Sequence, residues 1–318
     1  MKGVVSSKTF KRKADAREWA TKLEAEIEAG ATGSIPDKTF GDLITKFIEG
    51  HVQTLDGVKQ ESLRLKRALK DPIASVKLQD LSVSHVAEWR DRRLKTVSAE
   101  SVRREWSSLG HACQLAKQEW RWLRINPFRE VKQPAKSQPR RRRITQEEVD
   151  ALLLACNYEK DVKPTTMQAT VGAIMLFAIE TAMRAGEICA LKWSEIDLGA
   201  RVAHVTATVR GARKTKRSRE VPLSAEAIRI LNQFEGGDSV FDMLPASLDA
   251  LFRKAKARAI ITGLHFHDTR AEALTRLSKK LNPMQLAKVS GHQDLRILYS
   301  VYYREDICEI VKVMEDGA

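Results

Sequence analysis

The sequence predicts a mainly α fold with a small β-sheet (α+β), arranged as two domains, and three observations carry that expectation. Apolar residues recur at helical spacing from about 39 to 130, and a proline-bearing basic run follows at 131–143. Beyond it lies the clearest alternating stretch, RVAHVTATVR at 201–210, with a second short one, REVPL, close behind.

The elements can be justified in order. VVSSKTF at 4–10 reads as a short β-like piece, and residues of about 14–29 as a helix closed by Gly30. GSIPD at 33–37 reads as a linker. TFGDLITKFIEG places apolar residues at 40, 43, 44, 47 and 48, one face of a helix. Further helical segments follow, with Ser82 and Ser98 as N-caps and Asn126-Pro127 as the stop. VKQPAKSQPRRRR at 131–143 holds two prolines, six basic residues and no acid, the composition of a semi-extended linker attractive to phosphate. TQEE at 145–148 is a capping box, in which Thr145 and Glu148 satisfy each other's free N–H groups. Helices are expected at 145–156 and 166–182, over GEICALKW, and near 224–234, 246–260, 267–280 and 283–289. Asn282 then Pro283 make an N-cap and first-turn pair. The domains expected are therefore 1–36, too short for a core of its own, 37–130, the linker 131–143, and 144–318.

Lys+Arg of 55 against Asp+Glu of 41 gives a net charge of +14, which attracts polyanions and makes binding salt-dependent. Cys113, Cys156, Cys189 and Cys308 lie far apart without ligand spacing, so neither disulfides nor a metal site is expected. The apolar run VGAIMLFAI at 171–179 is too short to span a bilayer and reads as a buried helix. With no apolar leader at the N-terminus, a cytoplasmic protein without membrane partners is expected.

The second half scatters Arg184, Lys214, His267, Arg270, His292 and the Tyr302-Tyr303 pair along the chain. Those residue types suit making and breaking a phosphodiester with no metal or cofactor. Guanidinium forks hold non-bridging oxygens, a tyrosine hydroxyl serves as nucleophile, and lysine or histidine moves protons. Glu187, three residues after Arg184, is placed to orient it. His267 and Arg270 share a helical face. Taken singly, each has a plainer reading as a solvated, capping or packing residue. Arg140, Arg141, Arg142 and Arg143 are candidates for contact with a DNA backbone.

Together these segments resemble the tyrosine recombinases, the family of phage-type integrases. TAMRAGEICALKW resembles their first-arginine motif, and RKTKRSREVPLS their β-hairpin lysine motif, with Lys214 eight residues before Pro222. HDTRAEALTRL is similar to their His-x-x-Arg helix, and VSGHQDLRILYSVYY to the Gly-His segment leading to the tyrosine. Residues 37–130 are similar to the helical SAM-like core-binding domain, and 1–36 to an incomplete arm-binding domain. The resemblance implies site-specific strand exchange through a 3′-phosphotyrosine, without metal or ATP. Arg184 and Arg270 would clamp the phosphate, Lys214 would protonate the leaving 5′-oxygen, His267 would assist the nucleophile, and His292 would bond the phosphate. Implied partners are double-stranded DNA attachment sites, a homo-tetramer on DNA with 304–318 docking on a neighbour, a directionality factor and a host DNA-bending protein.

Ala182 stands where the family usually has glycine, and Ala271-Glu272 where it usually has His-Thr. The commonest spacing puts the tyrosine nine residues after the Gly-His histidine, here Val301; Tyr302 fits a ten-residue variant, with Tyr303 left open. Two alternatives share many of these features: a decayed integrase that only binds DNA, and a type IB topoisomerase.

Overall fold

The computed structural model describes residues 7–10, 12–28, 35–55, 57–137, 140, 142–206, 218–234 and 236–303, with the side chains of 22–28 left out. The chain divides into two compact units, the second opening at Arg140.

In the first unit the helices are α1 (Lys13–Glu28), α2 (Phe40–Glu49), α3 (Val58–Ala68), α4 (Val83–Leu94), α5 (Ala99–Gln118) and α6 (Pro127–Glu130). The residue before α2 explains where it starts. Thr39 Oγ1 accepts from the Asp42 N–H at 3.1 Å, while Asp42 accepts from the Thr39 N–H at 2.8 Å. The apolar face of α2 then buries Phe40, Leu43, Ile44 and Phe47. Trp89 of α4, Trp106 of α5 and Phe128 of α6 close that core, their ring centroids 5.1–6.0 Å apart. Asn126 departs from the expected stop. It caps the start of α6, accepting from the Phe128 N–H at 3.1 Å, with Pro127 where a missing N–H costs nothing. The long helix has already ended at Gln118.

The basic run after α6 is held by this unit at its beginning. Val131 lies in the core, Arg90 donates to the Lys132 carbonyl at 2.9 Å, and Arg103 donates to that of Pro134 at 2.7 Å.

The second unit is built around α8 (Met167–Thr181). This helix is apolar on every side, with Ala173, Ile174, Phe177 and Ala178 wholly buried, because other helices surround it. Those around it include α7 (Gln146–Ala155), α9 (Ala185–Cys189), α10 (Ala225–Leu231), α11 (Pro245–Arg258) and α12 (His267–Ser278). Among the described residues no helix is long and apolar enough to cross a membrane. Strands β1 (Ile196–Asp197), β2 (Val202–Val205) and β3 (Arg219–Pro222) form an antiparallel sheet in that order. Its register pairs Ala203 with Val221 and Val205 with Arg219. The β2–β3 connection, 207–217, lies outside the described residues, and Lys214 with it.

Two local departures from expectation have physical causes. The helix expected through Trp193 ends at Cys189, because Leu191 and Trp193 pair by backbone with Val240 and Asp238 instead. Strand β1 spans two residues, too short to show alternation. Finally α13 (Pro283–Ser290) and α14 (Leu295–Tyr302) join α12 through a separate small core. It consists of Ala182, Ala273, Leu274, Leu286 and Leu298, with Tyr302 and Tyr303 packed on it. That cluster mounts three helix ends around the end of α8.

Candidate active site

The chain leaves α8 through Ala182, a buried residue in the left-handed conformation at φ 53°. This backbone disfavours residues with a Cβ, a physical reason for glycine being usual here. The turn brings Arg184 to the N-cap of α9, where its N–H donates to Glu187 Oε2 at 2.8 Å and Nη1 to Oε1 at 2.9 Å. Glu187 has a second arginine. Arg219, on β3, donates Nη1 and Nη2 to both its oxygens at 2.9 and 2.7 Å. Burial pushes the Glu187 carboxyl up, but the Arg219 hydrogen bonds, the Arg184 N–H and the two positive charges override it and hold it at about 2.

Arg270, one turn into α12, is 3 % exposed. Its Nη1 donates to the Ala182 carbonyl and its Nη2 to that of Ser290 at 2.6 Å. Burial first, then the Arg184 charge, draws its pKa down to about 10, so it stays protonated at neutral pH. Partial burial, then Arg270, likewise lowers His267, although its ring reaches solvent.

His292 follows the left-handed Gly291 that ends α13. Its Nδ1 lies 2.7 Å from the hydroxyl of Ser290, a fully buried side chain that donates to Leu286 O at 2.6 Å. Burial, then Arg270, Arg184, Arg219 and His267, bring His292 down to about 4. It is therefore neutral at physiological pH.

Tyr302 ends α14, half-buried. Burial raises its pKa against the pull of Arg270, and its hydroxyl has no hydrogen-bond partner among the described residues. The neighbouring Tyr303 hydroxyl donates to the Leu281 carbonyl at 2.5 Å. The structure thus places Arg184, Glu187, His267, His292 and Tyr302 each within electrostatic reach of Arg270, while Lys214 lies outside the described residues.

The arginines of the basic run have acidic partners in this unit. Arg140 grips Asp268 at 2.8 Å through two bonds, Arg142 pairs with Glu148, and Arg143 with Glu272 at 2.8 Å. Arg141 lies outside the described residues. Among the described residues no group of three or more His, Cys, Asp and Glu could hold a metal ion.

Arg219 and Ser290 are the two site residues that sequence reasoning missed. A signal for Arg219 existed: in β3 it shares a face with Val221, which is wholly buried, while Glu220 and Pro222 face out. An inward arginine in a strand calls for a carboxylate. For Ser290 there was only its place beside Gly291-His292.

A cationic cleft of this kind can hold the non-bridging oxygens of a phosphodiester next to an unengaged tyrosine hydroxyl. Residues 142–307 match the model of the phage integrase family. A candidate integrase/recombinase of Haemophilus influenzae is 40% identical over 301 residues, covering 93% of this chain and 97% of that protein. The Tn1549 transposon integrase in complex with transposon right end DNA is similar in fold, with a TM-score of 0.71 and 18% identity over 87% of this chain and 99% of that one. A lambda integrase dimer bound to a COC' core site gives a TM-score of 0.70 and 18% identity over 92% and 87%.

Proposed function

The chain belongs to the phage integrase family of site-specific tyrosine recombinases, and from that premise we propose how its second unit breaks and rejoins DNA. The Tyr302 hydroxyl attacks a backbone phosphorus, forming the Tyr302 Oη–P bond as the P–O5′ bond breaks. Its proton passes toward His267, and Lys214 protonates the departing 5′-oxygen. Arg184 and Arg270 neutralise the non-bridging oxygens, and His292 adds a hydrogen bond. The free 5′-hydroxyl of a partner strand reverses the reaction, so the phosphotyrosine conserves the bond energy.

The observation that carries this reading is the contrast between the two tyrosines. Tyr303 uses its hydroxyl on Leu281, whereas that of Tyr302 has no hydrogen-bond partner among the described residues and feels the charge of the buried Arg270. The neutral His292 beside it also suits a partner that bonds phosphate without adding full charge. In the same proposal, 37–130 grips DNA as the core-binding domain and 1–36 serves as an arm-like segment. Four protomers on two attachment sites form the working assembly, and the 304–318 segment expected to dock on a neighbour lies outside the described residues. A directionality factor and a host DNA-bending protein set the outcome, in the cytoplasm at the nucleoid, on a prophage or similar element. Residues 140–143 approach the backbone, Arg140, Arg142 and Arg143 in competition with their carboxylates.

The test uses nicked duplexes tiled across the DNA flanking the gene, in which cleavage releases a short strand and traps the protein. A covalent adduct on a denaturing gel, lost in Tyr302→Phe, is the expected result. No adduct on any duplex, or one that survives Tyr302→Phe, overturns the proposal.

A further inference from the structure

We propose that Arg219 is a positioning residue for strand cleavage, fixing Arg184 through a shared carboxylate and fixing the His292 loop through direct packing. The inference rests on the function proposed above.

The geometry points both ways from one guanidinium. Toward α9, Arg219 holds both oxygens of Glu187, and Oε1 is also the oxygen that receives Arg184 Nη1. The carboxylate plane that orients Arg184 is therefore set from β3. Toward α13, Arg219 Nε donates to the Val289 carbonyl at 2.8 Å, three residues before His292. Gly291 leaves room for the arginine stem: a Cβ there would sit 3.1 Å from Arg219 Cδ and 3.4 Å from Nε. The side chain is 9 % exposed, so this guanidinium faces inward. It is an internal strut joining the strand after the 207–217 connection to elements that carry two candidate catalytic groups. A lysine cannot replace it, because one ammonium cannot meet both carboxylate oxygens and the Val289 carbonyl together.

A second consequence concerns Glu187. It faces Arg184 from its own helix, Arg219 from β3 and Arg270 from α12. Burial alone raises its pKa, and the Arg219 hydrogen bonds are the foremost opposing influence. Without Arg219, Glu187 takes up a proton closer to neutrality and releases Arg184.

The experiment compares full-length wild type with Arg219→Lys and Arg219→Ala on a nicked duplex that traps the wild type. Single-turnover adduct formation is measured across pH, and DNA affinity separately. A misplacement of about 1 Å slows a positioned reaction about a hundredfold, and a loss of that order is expected in both variants with affinity held within about twofold. The Arg219→Ala rate should also fall more steeply than the wild-type rate as pH drops below neutral. The double variant Arg219→Lys with Glu187→Gln should lose less than the two single losses combined, since the Glu187 link is common to both and only the Val289 link belongs to Arg219 alone. If Arg219→Ala does not fold, Arg219→Lys carries the rate comparison and the cycle with Glu187→Gln.

Wild-type rates in both variants, additive losses in the double variant, or an affinity loss as large as the rate loss would each overturn the inference. A wild type that traps on no duplex counts against the proposed function instead.

Discussion

The two adjacent tyrosines should separate chemistry from stability. Tyr303→Phe removes the hydroxyl that donates to the Leu281 carbonyl at 2.5 Å in the turn between α12 and α13. A neutral hydrogen bond contributes about 1 kcal/mol net, and the turn is open enough for water to take over the carbonyl, so about 1 kcal/mol is the expected loss. For a folding unit of this size that is a fall in Tm of about 2–4 °C. Tyr302→Phe removes a hydroxyl with no hydrogen bond among the described residues, from a half-buried place where burial already disfavours its charge. Its Tm should stay within about 1 °C of wild type. The adduct assay should give the opposite ranking: none with Tyr302→Phe, and a wild-type yield with Tyr303→Phe. Thermal unfolding of the full chain and the trapping gel, run on the same preparations, complete the test. Peptide mapping that finds the nucleotide on Tyr303, or an adduct lost only in Tyr303→Phe, would refute the reasoning.

Replacing Arg140 to Arg143 by alanine should weaken binding to all DNA sequences alike. It should flatten the log-affinity against log-salt slope by less than about 0.9 per arginine, because Arg140, Arg142 and Arg143 start from carboxylate partners; titration by fluorescence anisotropy reads it. Lys214→Ala should cleave normal DNA poorly and recover on a substrate whose leaving 5′-oxygen is sulfur, since a thiolate departs without a proton donor. His292 titrates near 6.5 when unfolded and at about 4 when folded. The unfolded chain therefore binds a proton across that window that the folded protein refuses, so stability is complete above it and falls as pH drops through it. Urea unfolding at several pH values should give a flatter profile for His292→Gln, while the Glu187 contribution, from 4.5 down to about 2, fades at lower pH. In the first unit, Arg93→Ala should cost about 3 kcal/mol by urea unfolding, because it strands Glu105, a carboxylate 6 % exposed and gripped by two bonds of 2.8 Å.

Local grammar carried much of the sequence reading. Thr145 with Glu148, Ser98, and Asn282 with Pro283 start helices where expected, because a cap is a bond between residues three apart. The Arg184–Glu187 pair was visible for the same reason. What stayed hidden were partners far apart in the chain. Arg219 reaches Glu187 across 32 residues, and Arg140 reaches Asp268 across 128. Neither has a periodic signature, so a run of arginines read as a semi-extended linker attractive to phosphate, while three of its members answer carboxylates. The backbone pairing of 191–193 with 238–240 is hidden in the same way. It ends a helix whose own residues would carry it further.

Those long-range partners also explain the charge state of the cleft. Glu187 bonds Arg184 and Arg219 and reaches Arg270 only through its charge, and the three guanidiniums together leave an excess of positive charge on His292. Burial and that excess together draw Arg270 down to about 10 and His292 down to about 4. The like charges of the cleft oppose one another, and His292 eases that repulsion by staying neutral. A phosphodiester brings the missing negative charge. Its arrival opposes both downward shifts, strengthens the positive groups it touches, and grows more favourable as charge accumulates on the non-bridging oxygens during transfer. The cleft is prepared for that charge. Its positive charges are held in place before the substrate arrives, by carbonyls at Ala182 and Ser290 and by one carboxylate held from two sides. Little reorganisation then remains for the reacting complex to perform.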